Sequence, residues 1–353
     1  MRVLVGAGVG ETMDSRYIIL CMAFAPILQG CGNAEPEKLS ASSSHQAELQ
    51  AFVDSIKKDL VFVEGGEFLM GDFGPQGPEK LPYDTDDDSK PLHTVVLTSF
   101  SMDRFKVTNK RYQLFLASKN LELRESGQAS KSKWDSINAI PNLPAHIDWY
   151  EAQQYCQWLG ELTKLPFAMP TEAQWEYAAR SRGQNLMVAT DDGDYKAEPY
   201  QLRTESYSPL GLNISSYGSR VAFAMQNGLK TKGSTPLPVD MYPPNPLGIY
   251  SMSDNGYEWV QDWYDPDYYE SSPADNPQGP KLPMFKDALG HDAKVVRGQS
   301  YANPYWGGGV NVFRTPADPH GRVDNDGAIF IANKTMRCVV NSPIPVKLSS
   351  SSK

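Results

Sequence analysis

Sulfur and imidazole are the side chains best suited to redox and nucleophilic chemistry, and this chain is sparing with both. Of its 353 residues four are cysteine and five are histidine. Cys21 and Cys31 sit close together near the N-terminus, while Cys156 and Cys338 are far apart in the rest of the chain. None of His45, His93, His146, His291 and His320 forms an H-x-x-x-H pair. Such a pair would put two imidazoles on one helix face to hold iron. Ser300 has no histidine close in sequence, although sequence distance does not decide a triad. Lys and Arg number 33 against 42 Asp and Glu, a net charge of −9. A net-acidic chain lacks the cations that neutralise nucleic-acid phosphates or anionic lipid, so neither is an expected partner. A protein with a basic face stays open.

The N-terminal cysteines belong to an address. Residues 1–30 read as a secretory signal, because the apolar run Tyr17 to Leu28 is too short to span a bilayer. Leu28-Gln29-Gly30-Cys31 resembles a bacterial lipobox, which makes Cys31 the lipidation site. The membrane contact expected is that lipid alone. No aspartate follows Cys31, which by resemblance to lipoprotein sorting favours a periplasmic protein anchored in the outer membrane. Residues 31–59 read as a Ser-rich tether and a short helix over 46–60, with Leu49, Phe52, Val53 and Ile56 at helical spacing. In an oxidising compartment Cys156 and Cys338 are expected to pair; the alternative is two separately buried thiols.

The remaining residues need elements to position them. Two apolar runs around Glu64-Gly65-Gly66-Glu67 predict a hairpin. An acidic loop (72–90) and a strand from His93 to Phe100 follow. Thr108, Asp148 and Thr171 are each placed to start a helix. Beyond Arg180 the chain is rich in Gly, Pro and Asn, which predicts loops and short strands. The expectation is one α+β domain over 60–345, with residues 346–353 as a disordered tail.

Several strings recur in one order in a known family: Phe62 to Gly71, Val107-Thr108-Asn109, Asp148 to Leu159, Met169 to Arg180, Pro243 to Met252, Asn255 to Trp259, Val296 to Tyr301, and Met336-Arg337-Cys338. The chain resembles the formylglycine-generating enzyme, or sulfatase-modifying factor, family from about Val61 to Val340. The resemblance implies an irregular, C-type-lectin-like α+β fold with low regular secondary structure. It also implies a disulfide between Cys156 and Cys338.

The same resemblance implies lost chemistry. The family's two copper-binding cysteines fall on Asn303 and Gly308, so neither copper nor formylglycine generation is expected. Iron is not expected either. A structural calcium is implied at the side chains of Ser251 and Glu258 and the backbone carbonyls of Asp254 and Gly256, with a second family site, at Asn227, lost. The former substrate cleft would then be a partner-binding surface lined by Asn303, Tyr305, Trp306, Phe313 and Arg314. Lipoproteins of this fold resemble immunity proteins that neutralise type VI secretion phospholipase toxins, and that non-catalytic role is the leading expectation. An enzyme of the siderophore-maturation kind and a structural envelope lipoprotein are the alternatives.

Overall fold

The computed structural model describes residues 36–126, 130–199, 209–305, 307–323 and 329–348. The signal segment, Cys31 and Trp306 lie outside the described residues, as do residues 349–353 of the expected tail. The chain divides into two compact units, Met1–Glu48 and Leu49–Lys353. Helix α1 (Pro36–Lys58) begins further toward the N-terminus than the apolar spacing indicated. Its Leu49, Phe52 and Ile56 pack into the main core of the second unit.

In that unit β1 (Leu60–Val63) and β2 (Gly66–Met70) do not pair with each other, contrary to the predicted hairpin. β2 pairs with β3 (His93–Leu97), and β1 pairs with β4 (Phe100–Asp103). Gly65 makes the crossing between the two sheets possible. A Cβ there would lie 2.2 Å from the Leu97 carbonyl oxygen, so only glycine lets the backbones approach so closely. Strand spacing identifies strands; it does not identify their partners.

The helices begin where their capping residues indicate. Thr108 caps α2 (Asn109–Lys119), and α3 (Lys131–Asn138) follows. Asp148 and Glu151 form a reciprocal capping box on α4 (Trp149–Thr163). After β5 (Phe167–Ala168), Thr171 and Gln174 do the same for α5 (Glu172–Ala179). The later elements are α6 (Tyr217–Gln226), β6 (Tyr257–Trp263), α7 (Tyr268–Ser271), β7 (Lys294–Arg297), β8 (Arg314–Ala317), β9 (Lys334–Thr335) and β10 (Val339–Val340).

β10 lies between β4 and β5, completing a four-stranded sheet ordered β1-β4-β10-β5. A second four-stranded sheet is ordered β8-β7-β6-β9, with β6 and β9 parallel. One apolar core joins α1, α2 and α4 to Trp259 and Met336. Another buries Trp175, Tyr177 and Ala178 of α5 against β2, β4 and β7. Cys156 of α4 is bonded to Cys338 beside β10, with their Cα atoms 5.7 Å apart. The two cysteines are therefore a disulfide and not separate thiols.

Candidate functional site

The site is built by two loops laid over each other, Ser251–Gly256 leading into β6 and Gly298–Gly309 leaving β7. Gly298 has a φ of +76°, and a Cβ on it would lie 2.4 Å from the Met252 carbonyl oxygen. Gly309 has a φ of +85° and approaches the Ser253 carbonyl oxygen as closely. Both positions need glycine for conformation and for space. The Gly256 amide donates to the carbonyls of Ser300 (2.8 Å) and Gln299 (3.2 Å), which joins the loops. Ser253 Oγ donates to Asn311 Oδ1 at 2.9 Å and accepts from the Ala189 amide at 2.8 Å.

The outer loop is pinned at several of its described residues. Buried Arg220 donates to the Ala302 carbonyl at 3.2 Å, and its guanidinium lies 4.7 Å from the Tyr301 ring centroid. Asn303 Oδ1 accepts from the Tyr305 amide at 3.1 Å. Tyr195 donates its hydroxyl to the Gly308 carbonyl, and Tyr305 to that of Glu198. Tyr305 is exposed, while Asn303 and Phe313 are half-buried.

Arg314 corrects the expected lining, because its side chain is fully buried. It donates to Glu172 Oε1 at 2.8 Å and to the Asp88 carbonyl at 2.6 Å, and its guanidinium lies over Tyr269. It belongs to an ionic knot beneath the loops. Arg297 bridges Glu172 and Glu176, each at 2.7 Å, and Arg180 donates to Glu176 at 2.8 Å. Burial alone would raise the Glu172 carboxyl pKa; Arg314 and then Arg297 outweigh it and hold the pKa below its ordinary value.

A second knot lies where calcium was expected. Glu258 is fully buried. Its Oε1 accepts from Lys106 Nζ at 2.6 Å and Arg337 Nη2 at 2.7 Å. Its Oε2 accepts from Arg337 Nε at 2.7 Å and Trp175 Nε1 at 2.9 Å. Burial works to raise this carboxyl's pKa, but Arg337 and Lys106 prevail and bring it down to about 2. The Gly256 carbonyl accepts from Lys106 at 2.9 Å, Asp254 Oδ2 accepts from the Ser215 amide at 2.9 Å, and Ser251 Oγ donates to the Val239 carbonyl at 3.3 Å. Calcium takes six to eight oxygens at short range. The Gly256 carbonyl and both Glu258 oxygens already serve protein donors, and Ser251 Oγ is itself a donor to Val239, so the expected set Ser251, Asp254, Gly256 and Glu258 does not fit the ion. Among the described residues no cluster of three His, Cys, Asp or Glu side chains could hold a metal.

Residues 46–340 match the description "Sulfatase-modifying factor enzyme 1-like domain". The chain belongs to this family. It is 28% identical over 284 residues to the formylglycine-generating enzyme of Streptomyces coelicolor, covering 68% of this chain and 78% of that protein. It is 32% identical over 247 residues to the serine/threonine-protein kinase pkn1 of Chlamydia pneumoniae. That match covers 65% of this chain but spans only 32% of the length of the chlamydial protein. Among solved structures it resembles PvdO from Pseudomonas aeruginosa, with a TM-score of 0.53 and 21% identity over 80% of this chain and 93% of that one. That likeness speaks for the fold.

Asn303 and Gly308, onto which the sequence resemblance placed the family's cysteine pair, both lie in the loop leaving β7. The described cysteines are both in the disulfide. Sequence reasoning missed Lys106, Arg220, Tyr195 and the pairing of Glu172 and Glu176 with arginines. Arg297, Arg337 and both glutamates lay inside the family strings, but nothing in their spacing marked them as mutual counter-ions. Lys106 gave no signal beyond standing just before Val107.

Proposed function

We propose that this chain is a binding member of the sulfatase-modifying factor family and not a cysteine oxidase, with its partner docking on the Asn303–Gly309 loop. What supports this reading is that the described cysteines, Cys156 and Cys338, are joined in a disulfide, and that the resemblance puts the family's two thiols at Asn303 and Gly308. Copper(I) is held by soft thiolates, and cysteine redox chemistry needs a sulfur that can be deprotonated. An amide and a hydrogen supply neither. The loop does suit recognition. It is fixed by Tyr195, Arg220 and Gly309, so little freedom is lost on binding. It also presents Tyr305 as an exposed aromatic anchor with Asn303 beside it.

A secreted phospholipase toxin is the partner class proposed, with this chain as the lipid-anchored periplasmic protein that neutralises it. The net charge of −9 favours a toxin with a basic face. The test titrates the full chain into purified type VI phospholipases and follows lipid hydrolysis. The expected result is saturable inhibition at one-to-one stoichiometry, with Tyr305→Ala weakening it by about tenfold or more. Unimpaired hydrolysis at excess protein would remove the toxin reading.

A further inference from the structure

We propose that the Lys106 ammonium is the resident cation of the Ser251–Glu258 loop, so that this chain holds with an internal charge what its relatives would hold with a metal. Lys106 lies between β4 and α2, and its side chain is fully buried, as is that of Glu258. Nζ donates to Glu258 Oε1 at 2.6 Å, the Gly256 carbonyl at 2.9 Å and Thr335 Oγ1 at 3.3 Å. Those are all three donors of an ammonium, each directed at an oxygen. Two of the three acceptors, Gly256 and Glu258, are oxygens that a calcium in this loop would require.

The charges agree with the geometry. Arg337 grips the same carboxylate with two hydrogen bonds of 2.7 Å. One carboxylate thus faces two fixed cations, and a dication brought to the same place would be repelled by both at short range. The ammonium also ties together segments distant in sequence: the β4–α2 connection, the entry to β6, and Thr335 of β9. A bound calcium would perform that cross-linking elsewhere in the family; here the lysine does it without an ion being captured. It follows that folding of this chain is independent of calcium, and that removing the ammonium leaves a buried, cation-sized gap beside Glu258.

The test is thermal unfolding of the full chain with excess EGTA and with millimolar calcium. The wild-type midpoint is expected to be the same in both. A midpoint that rises with calcium would overturn the proposal, because a ligand that binds the native state must stabilise it. Lys106→Ala and Lys106→Met are expected to lower the midpoint. For Lys106→Ala, ethylammonium should restore part of the loss, and tetramethylammonium, which has no N–H donor, should not. A Lys106→Met midpoint equal to wild type would also overturn the proposal. Should neither variant be recovered folded, the wild-type calcium titration decides alone.

Discussion

At the scale of single residues, the informative groups are polar ones that the fold has taken out of water. Glu172, Glu176 and Glu258 are each held by arginine or lysine, and losing one partner would strand a buried charge. These pairings were invisible in the sequence because counter-ions distant along the chain carry no spacing signal. Arg314 shows the converse. Its residue type suggested an interface anchor, yet the same planar guanidinium serves as well to neutralise Glu172 inside the core. His146 is buried with neither ring nitrogen hydrogen-bonded among the described residues, beside Trp134. Burial lowers its pKa from 6.5 to about 4. Between those values the unfolded chain binds a proton that the folded chain does not, so the contribution of His146 to stability falls as pH drops from 6.5 to 4. Its full size is roughly 3 kcal/mol. Asp103 and Asp262 have pKa values raised to about 6 and 7, which gives slopes of opposite sign over part of the same range. The clean measurement is therefore a difference: urea unfolding of wild type and His146→Leu at pH 7 and pH 4. The wild type should lose about 3 kcal/mol relative to the variant on going to pH 4.

At the scale of elements, what was legible was local. Thr108, Asp148 and Thr171 announced three helix starts because a cap acts within one turn of its own helix. The pairing of β1 with β4 was not legible, since it depends on Gly65 passing against Leu97 far along the chain. The disulfide joins the two kinds of element. It fastens α4 to the strand β10 at the centre of its sheet, across 182 residues. Closing so long a loop removes about 5 kcal/mol of unfolded-state chain entropy in the simple model. The Cys156→Ser/Cys338→Ser variant is expected to lose stability of that order in denaturant unfolding. Reducing agent should destabilise the wild type similarly and leave the variant unchanged.

At the scale of the whole molecule, the family was readable because ordered strings extended from Phe62 to Cys338, and the family match covers 46–340. The fold's irregular loops over short sheets followed from that resemblance and from the Gly, Pro and Asn content beyond Arg180, where periodicity is weak. What the resemblance could not supply was the state of the site. The proposed recognition role rests on Asn303 and Gly308 standing where the resemblance implies the family's two cysteines. The most direct measurement is to incubate the full chain with copper(I), oxygen and a cysteine-containing sulfatase peptide, and to read the peptide by mass spectrometry. The expected result is no formylglycine beyond that in a control with the chain omitted. Conversion of that cysteine to formylglycine, above a control with the chain omitted, would contradict it.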